Sequence, residues 1–97
     1  MRHEIVLSPE AVQDRRRLRA YDRAIVDDAI ETHLRHGPTR VSKSRIKRLR
    51  GLARPQYRLR VGDFRVFYDV AAGEIQILAI VAKAEVERWL EEVGEPE

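Results

Sequence analysis

Two adjacent residues, Gly62 and Asp63, constrain this chain more than any others. Before them Tyr57, Leu59 and Val61 alternate with Arg58 and Arg60, and after them runs the apolar-rich segment Phe64 to Val70. A two-residue loop with glycine first suits a type II′ turn, whose twist matches that of its flanking strands, so the pattern predicts a β-hairpin. The loop length also fixes the register. Val61 then faces Phe64, Arg60 faces Arg65, Leu59 faces Val66 and Arg58 faces Phe67. Directly opposed residues share a face of the sheet. One face is therefore expected to be core, with Tyr57, Leu59, Val61, Phe64, Val66 and Tyr68. The other holds Arg58, Arg60 and Arg65 beside Phe67.

The rest of the chain must cover that core face. Glu4 to Leu7 is a short strand candidate, and Ser8-Pro9 follows it as a helix N-cap with proline at the first helical position. A helix runs from there to about Ala20, and a second from about Tyr21 to Arg35, with Ile25, Ala29, Ile30 and Leu34 at helical spacing. Gly37-Pro38 stops it. Thr39 to Pro55 is a basic connector in which Ile46, Leu49 and Leu52 can anchor to the core. After the hairpin, Ala72-Gly73-Glu74 turns the chain into Ile75 to Ala82, which is apolar on both faces and reads as a central strand. Glu85 to Val93 is a last helix with Val86, Trp89, Leu90 and Val93 on one face. The expected class is α+β: a small antiparallel sheet of about four strands, packed against an N-terminal helical hairpin, with a short C-terminal helix.

At 97 residues, residues 1–97 are expected to form a single domain. The chain has no cysteine, which excludes a disulfide framework and a thiolate zinc site. His33 and His36 stand three residues apart at the end of a helix without a third ligand in view, so no metal site is expected. The N-terminal region lacks the apolar core of a signal peptide and no run is long enough to cross a bilayer, so a cytoplasmic location and no membrane partner are expected.

Charge is unevenly placed. Arg40 to Arg65 carries ten of the 19 basic residues and one of the 16 acids, a local balance of +9 against −6 elsewhere. Such asymmetry points to a polyanionic partner for the middle of the chain. Three guanidiniums on one sheet face repel one another, and an anion such as an RNA phosphate relieves that repulsion by bidentate hydrogen bonding. Phe67 beside them offers a ring on which a base can stack. The connector residues Lys43, Arg45, Lys47, Arg48 and Arg50 extend the basic surface. The alternative is a plain solvent face with arginine as polar filler.

The segments Arg45-Ile46-Lys47-Arg48-Leu49-Arg50-Gly51-Leu52, Gln56-Tyr57-Arg58-Leu59-Arg60-Val61 and Phe64-Arg65-Val66-Phe67-Tyr68-Asp69-Val70, in that order, resemble the RelE/ParE superfamily of toxins. The resemblance spans nearly the whole chain. It implies the toxin of a type II toxin–antitoxin system, bound in a hetero-oligomer by a cognate antitoxin. RelE-like members cleave mRNA in the ribosomal A site, and ParE-like members inhibit DNA gyrase without being enzymes. The RelE-like reading implies a ribosome-dependent endoribonuclease that needs no metal and no cofactor, in which the RNA 2′-oxygen attacks the adjacent phosphorus. The family's basic positions fall on Arg58, Arg60 and Arg65, and its later one near Lys83. The connector cations and Phe67 would then contact RNA. Two departures accompany the resemblance: arginines stand where lysines are common at positions 58 and 60, and Trp89 or Leu90 occupies the region of the family's C-terminal tyrosine. Arginine keeps its proton, so it can clamp phosphate but is a poor base. Lys83, Glu85 and Asp63 remain as proton acceptors. A weakly active or inactive relative is the third reading.

Overall fold

The longest strands are the two that the sequence marks as most apolar. In a computed structural model, which describes residues 2–97 and so leaves position 1 of the expected domain outside, β5 (Phe64–Ala71) and β6 (Glu74–Ala82) form the centre of the main sheet. Before them come β1 (Glu4–Leu7), α1 (Pro9–Arg17), α2 (Ala20–Leu34), β2 (Ile46–Arg48), β3 (Leu52–Arg54) and β4 (Tyr57–Val61). After them a 3-10 turn at Lys83–Glu85 leads into α3 (Val86–Val93) and the two-residue β7 (Glu95–Pro96). The main sheet has the order β1-β6-β5-β4-β2, and β3 pairs with β7 apart from it. The α+β class and the helical hairpin are as expected. Two details differ from a four-stranded antiparallel sheet: the basic connector supplies an edge strand, β2, and β1 joins β6 in parallel. Among the described residues no helix is long and apolar enough to cross a membrane.

The hairpin register is the one the turn dictates, from Val61 opposite Phe64 to Tyr57 opposite Tyr68. Gly62 has φ +55° while Asp63 keeps a negative φ. That combination belongs to type II′ and excludes type I′, which needs both central residues at positive φ.

Alternation then divides the apolar residues between two sides of the sheet. On one side Leu59, Val61, Val66, Tyr68, Ile75, Ile77 and Ile80 meet Ala11, Val26, Ile30 and Leu34 of the two helices. Ile46 of the connector joins them at 4% exposure, which is why a segment so rich in charge can hold a strand. On the other side a smaller group, Phe67, Ala79 and Val81, is covered by Leu49, Val86, Trp89 and Leu90. The molecule is therefore three layers, helical hairpin, sheet and α3.

Polar side chains of the helical hairpin fix its position. Ser8 caps α1 by accepting from the Ala11 amide at 3.1 Å, and its hydroxyl donates to the Leu78 carbonyl at 3.0 Å. Leu78 is the extra residue of a bulge, since Phe67 pairs with Ala79 but Tyr68 with Ile77. Asp14 accepts from the Ile80 amide next to that bulge, so α1 supplies partners that the disrupted ladder lacks. Arg15 grips Asp27 of α2 with two hydrogen bonds, 2.8 and 2.6 Å, and this holds the Asp27 carboxyl below the usual carboxylate range. Tyr68 is fully buried and donates to the Pro38 carbonyl at 2.6 Å. Burial, and then the neighbouring Tyr57, push its hydroxyl pKa up.

Candidate nucleic-acid interface

Strand pairing arranges the cations in two rows on the face opposite the helical hairpin. The first row runs from Arg60 on β4 to Arg65 on β5 and Val81 on β6. The Arg60 amide donates to the Arg45 carbonyl at 2.8 Å, which brings Arg45 alongside. The second row is Lys47 on β2, Arg58, Phe67 and Ala79. Arg58, Arg60 and Arg65 thus share a face, and β2 adds Lys47 to it.

The three arginines are in different states. Arg60 is exposed. Arg65 is 8% exposed, and its Nη1 donates to the carbonyls of Gly62 (2.8 Å) and Phe64 (2.9 Å). It ties the turn to the strand and contributes its charge from beneath the surface. Arg58 is half-buried, and its Nε is buried with no hydrogen-bond partner. Burial first, then the charges of Arg65 and Arg60, lower its pKa. An arginine so shifted is still protonated near neutrality, so Arg58 is a cation in a field of like charge, with an Nε that has no partner among the described residues.

Lys83 is exposed on the 3-10 turn, and its amide donates to the Asp63 carbonyl at 2.8 Å. That contact sets it beside the hairpin tip, at the same end as Arg60 and Arg65.

The remaining expected contacts separate. Arg45 and Lys47 are exposed next to the arginine rows, whereas Lys43 and Arg50 are exposed in the loop before β2 and the turn after it. Arg48 pairs with Tyr57 on the helix side of the sheet, where its guanidinium lies 5.3 Å from that ring and donates to the Gln56 carbonyl at 2.9 Å. The expectation for Phe67 needs correction. Its ring is fully buried, stacked at 4.7 Å on Trp89 of α3, so it offers no open surface to a base. The apolar face of α3 is what covers it. The grouping of Lys47 with Arg58 was not visible in the sequence, because three residues of β2 carry too short an alternation to announce a strand.

The position of these residues in the fold can be set against known proteins. The family model for the ParE toxin of type II toxin–antitoxin systems, parDE, matches residues 5–86. No curated protein matches in sequence. Among solved structures, the archaeal RelE–RelB complex from Pyrococcus horikoshii OT3 is similar with a TM-score of 0.69 and 23% identity, over 86% of this chain and 97% of that one. The RelB–RelE antitoxin–toxin complex from Methanococcus jannaschii gives 0.61 and 17%, over 87% and 96%. The YoeB dimer from Staphylococcus aureus gives 0.60 and 19%, over 81% and 94%.

Proposed function

This chain belongs to the RelE/ParE superfamily as the toxin of a type II toxin–antitoxin system, and from that premise we propose that it is a ribosome-dependent mRNA endoribonuclease that blocks translation. The observation that carries the reading is Arg58, whose buried guanidinium Nε has no partner among the described residues, in the row next to the opposed pair Arg60 and Arg65. Cleavage by 2′-oxygen attack builds charge on a phosphorane-like transition state. Donors already aimed at that charge, without water to displace, stabilise it, and one such donor is worth roughly 10²–10³ in rate. Arg58 and Arg60 hold the scissile phosphate in this scheme. Arg65 keeps the turn in place and adds positive potential. Lys83 and Asp63, at the hairpin tip, are the groups that would transfer protons in this scheme, a contribution of roughly 10²–10⁴. Lys47 and Arg45 extend the track toward ribosomal RNA, and the arginine face also suits an acidic segment of the cognate antitoxin, which would neutralise the toxin by occupying it.

The match to the ParE model favours a second reading, inhibition of DNA gyrase without catalysis. Expression of the chain without its antitoxin separates the two. The ribonuclease reading expects growth arrest with new mRNA 5′ ends inside codons, and loss of both in Arg60→Ala, a substitution at an exposed side chain. Unchanged 5′ ends with persistent arrest and impaired supercoiling overturn it in favour of gyrase. Arg60 is the better test than Arg65, because removing Arg65 also removes two hydrogen bonds to the turn.

A further inference from the structure

Past the end of α2 lies a cavity that the hairpin strands do not wall. It holds about 270 Å3 between Thr32, His33, His36, Arg40, Ser42, Arg45 and Ile46. Most of its polar side chains can donate to an anion. Arg40 and Arg45 carry only donors. The Ser42 hydroxyl oxygen already accepts from the amides of Arg45 (3.0 Å) and Ile46 (3.2 Å), which leaves its O–H to donate. No carboxylate lines the space. Arg40 packs against Gly37, where a Cβ would lie in ordinary contact at 3.7 Å from the Arg40 Cβ and Nε. His33 has its pKa lowered by burial first and then by the charge of Arg45, with Asp28 opposing.

Two guanidiniums, a donor-only hydroxyl and two imidazoles form a receptor for a tetrahedral oxyanion. The cavity also shares a wall with the arginine face. Arg45 forms a wall of a second hollow with Ser44, Arg60 and Gly62, so one side chain stands between the cavity and the hairpin tip. We propose that this cavity binds a phosphate group, and that the phosphate is one of the RNA strand lying on the arginine face. The second clause rests on the RNA reading above.

Histidine-ring NMR of the full chain tests it with two probes. Inorganic phosphate at millimolar concentration is expected to move the His33 and His36 signals and to raise the His33 titration midpoint, and both effects are expected to vanish in Arg40→Ala. A short single-stranded RNA lacking a terminal phosphate is expected to move the same signals. Arg40→Ala should lower the slope of log affinity against log salt by about 0.7, one phosphate contact. Phosphate that leaves both rings unmoved overturns the site. Phosphate that moves them while the RNA does not assigns the cavity to free phosphate compounds and overturns the shared strand. Neither probe involves cleavage, so a failed ribonuclease reading shows in mRNA 5′ ends and a failed cavity shows here.

Discussion

Arg58 combines two liabilities for the folded state, a buried donor without a partner and two neighbouring cations. A buried unsatisfied group costs about 1–3 kcal/mol, and replacing it by an apolar side chain of similar size can be neutral or stabilising. Arg58→Leu is therefore expected to leave stability unchanged or raise it by up to about 1 kcal/mol in urea unfolding, while weakening RNA binding and abolishing toxicity. A fall in stability greater than that, with toxicity kept, would give Arg58 a structural role. At this scale the sequence was legible where a residue's environment is set by its own strand. It placed Arg58, Arg60 and Arg65 on one face. It misjudged Phe67 because the ring's cover is Trp89, on a helix whose docking side no local pattern specifies. The same holds for the cavity by α2: its parts lie on a helix end and a connector that periodicity does not join.

The β4–β5 hairpin is the element on which the site depends, and its turn is the most demanding backbone in it. Gly62 holds a positive φ of 55°, which a β-branched residue adopts only with strain of about 1–3 kcal/mol. Gly62→Val is expected to destabilise by that amount, and to weaken RNA binding further than its stability loss explains, since Arg65 is anchored to the Gly62 carbonyl. Calorimetry and filter binding on the same samples check both parts, and a wild-type affinity in a destabilised variant would separate the turn from the site. The hairpin was readable to the residue because loop length and alternation are both local. β2 and the parallel placement of β1 were not, because each depends on a partner distant in the chain. Ile46 is buried only once β4 exists, and β1 pairs with a strand made near the end.

On the scale of the whole molecule, charge is segregated into a basic middle and an acidic C-terminal part, with the segment before Arg40 balanced. Single-stranded RNA contacting Arg40, Arg45, Lys47, Arg58 and Arg60 is expected to give a log affinity that falls with log salt at a slope of about −3.5, roughly 0.7 for each phosphate neutralised. Titrations between low and moderate salt measure it, and a slope near zero would leave no role for the arginine face in holding RNA. The class of the fold and the packing of the helical hairpin on the sheet were legible from apolar grouping, whereas the docking of α3 on the opposite face was not. What remained hidden was which strands lie at the edges, a property of the assembled sheet.

The parallel union of β1 with β6 sets an order in time. The helical hairpin and the β4–β5 hairpin close short loops, and hairpins of that kind form in microseconds. Glu4 must instead find Glu74, and Leu7 must find Ile77, across most of the chain. Contacts so distant in sequence slow folding because the entropy of closing the loop is lost before the contact forms. β1 is thus expected to be seated late, on a sheet that already carries its charged face.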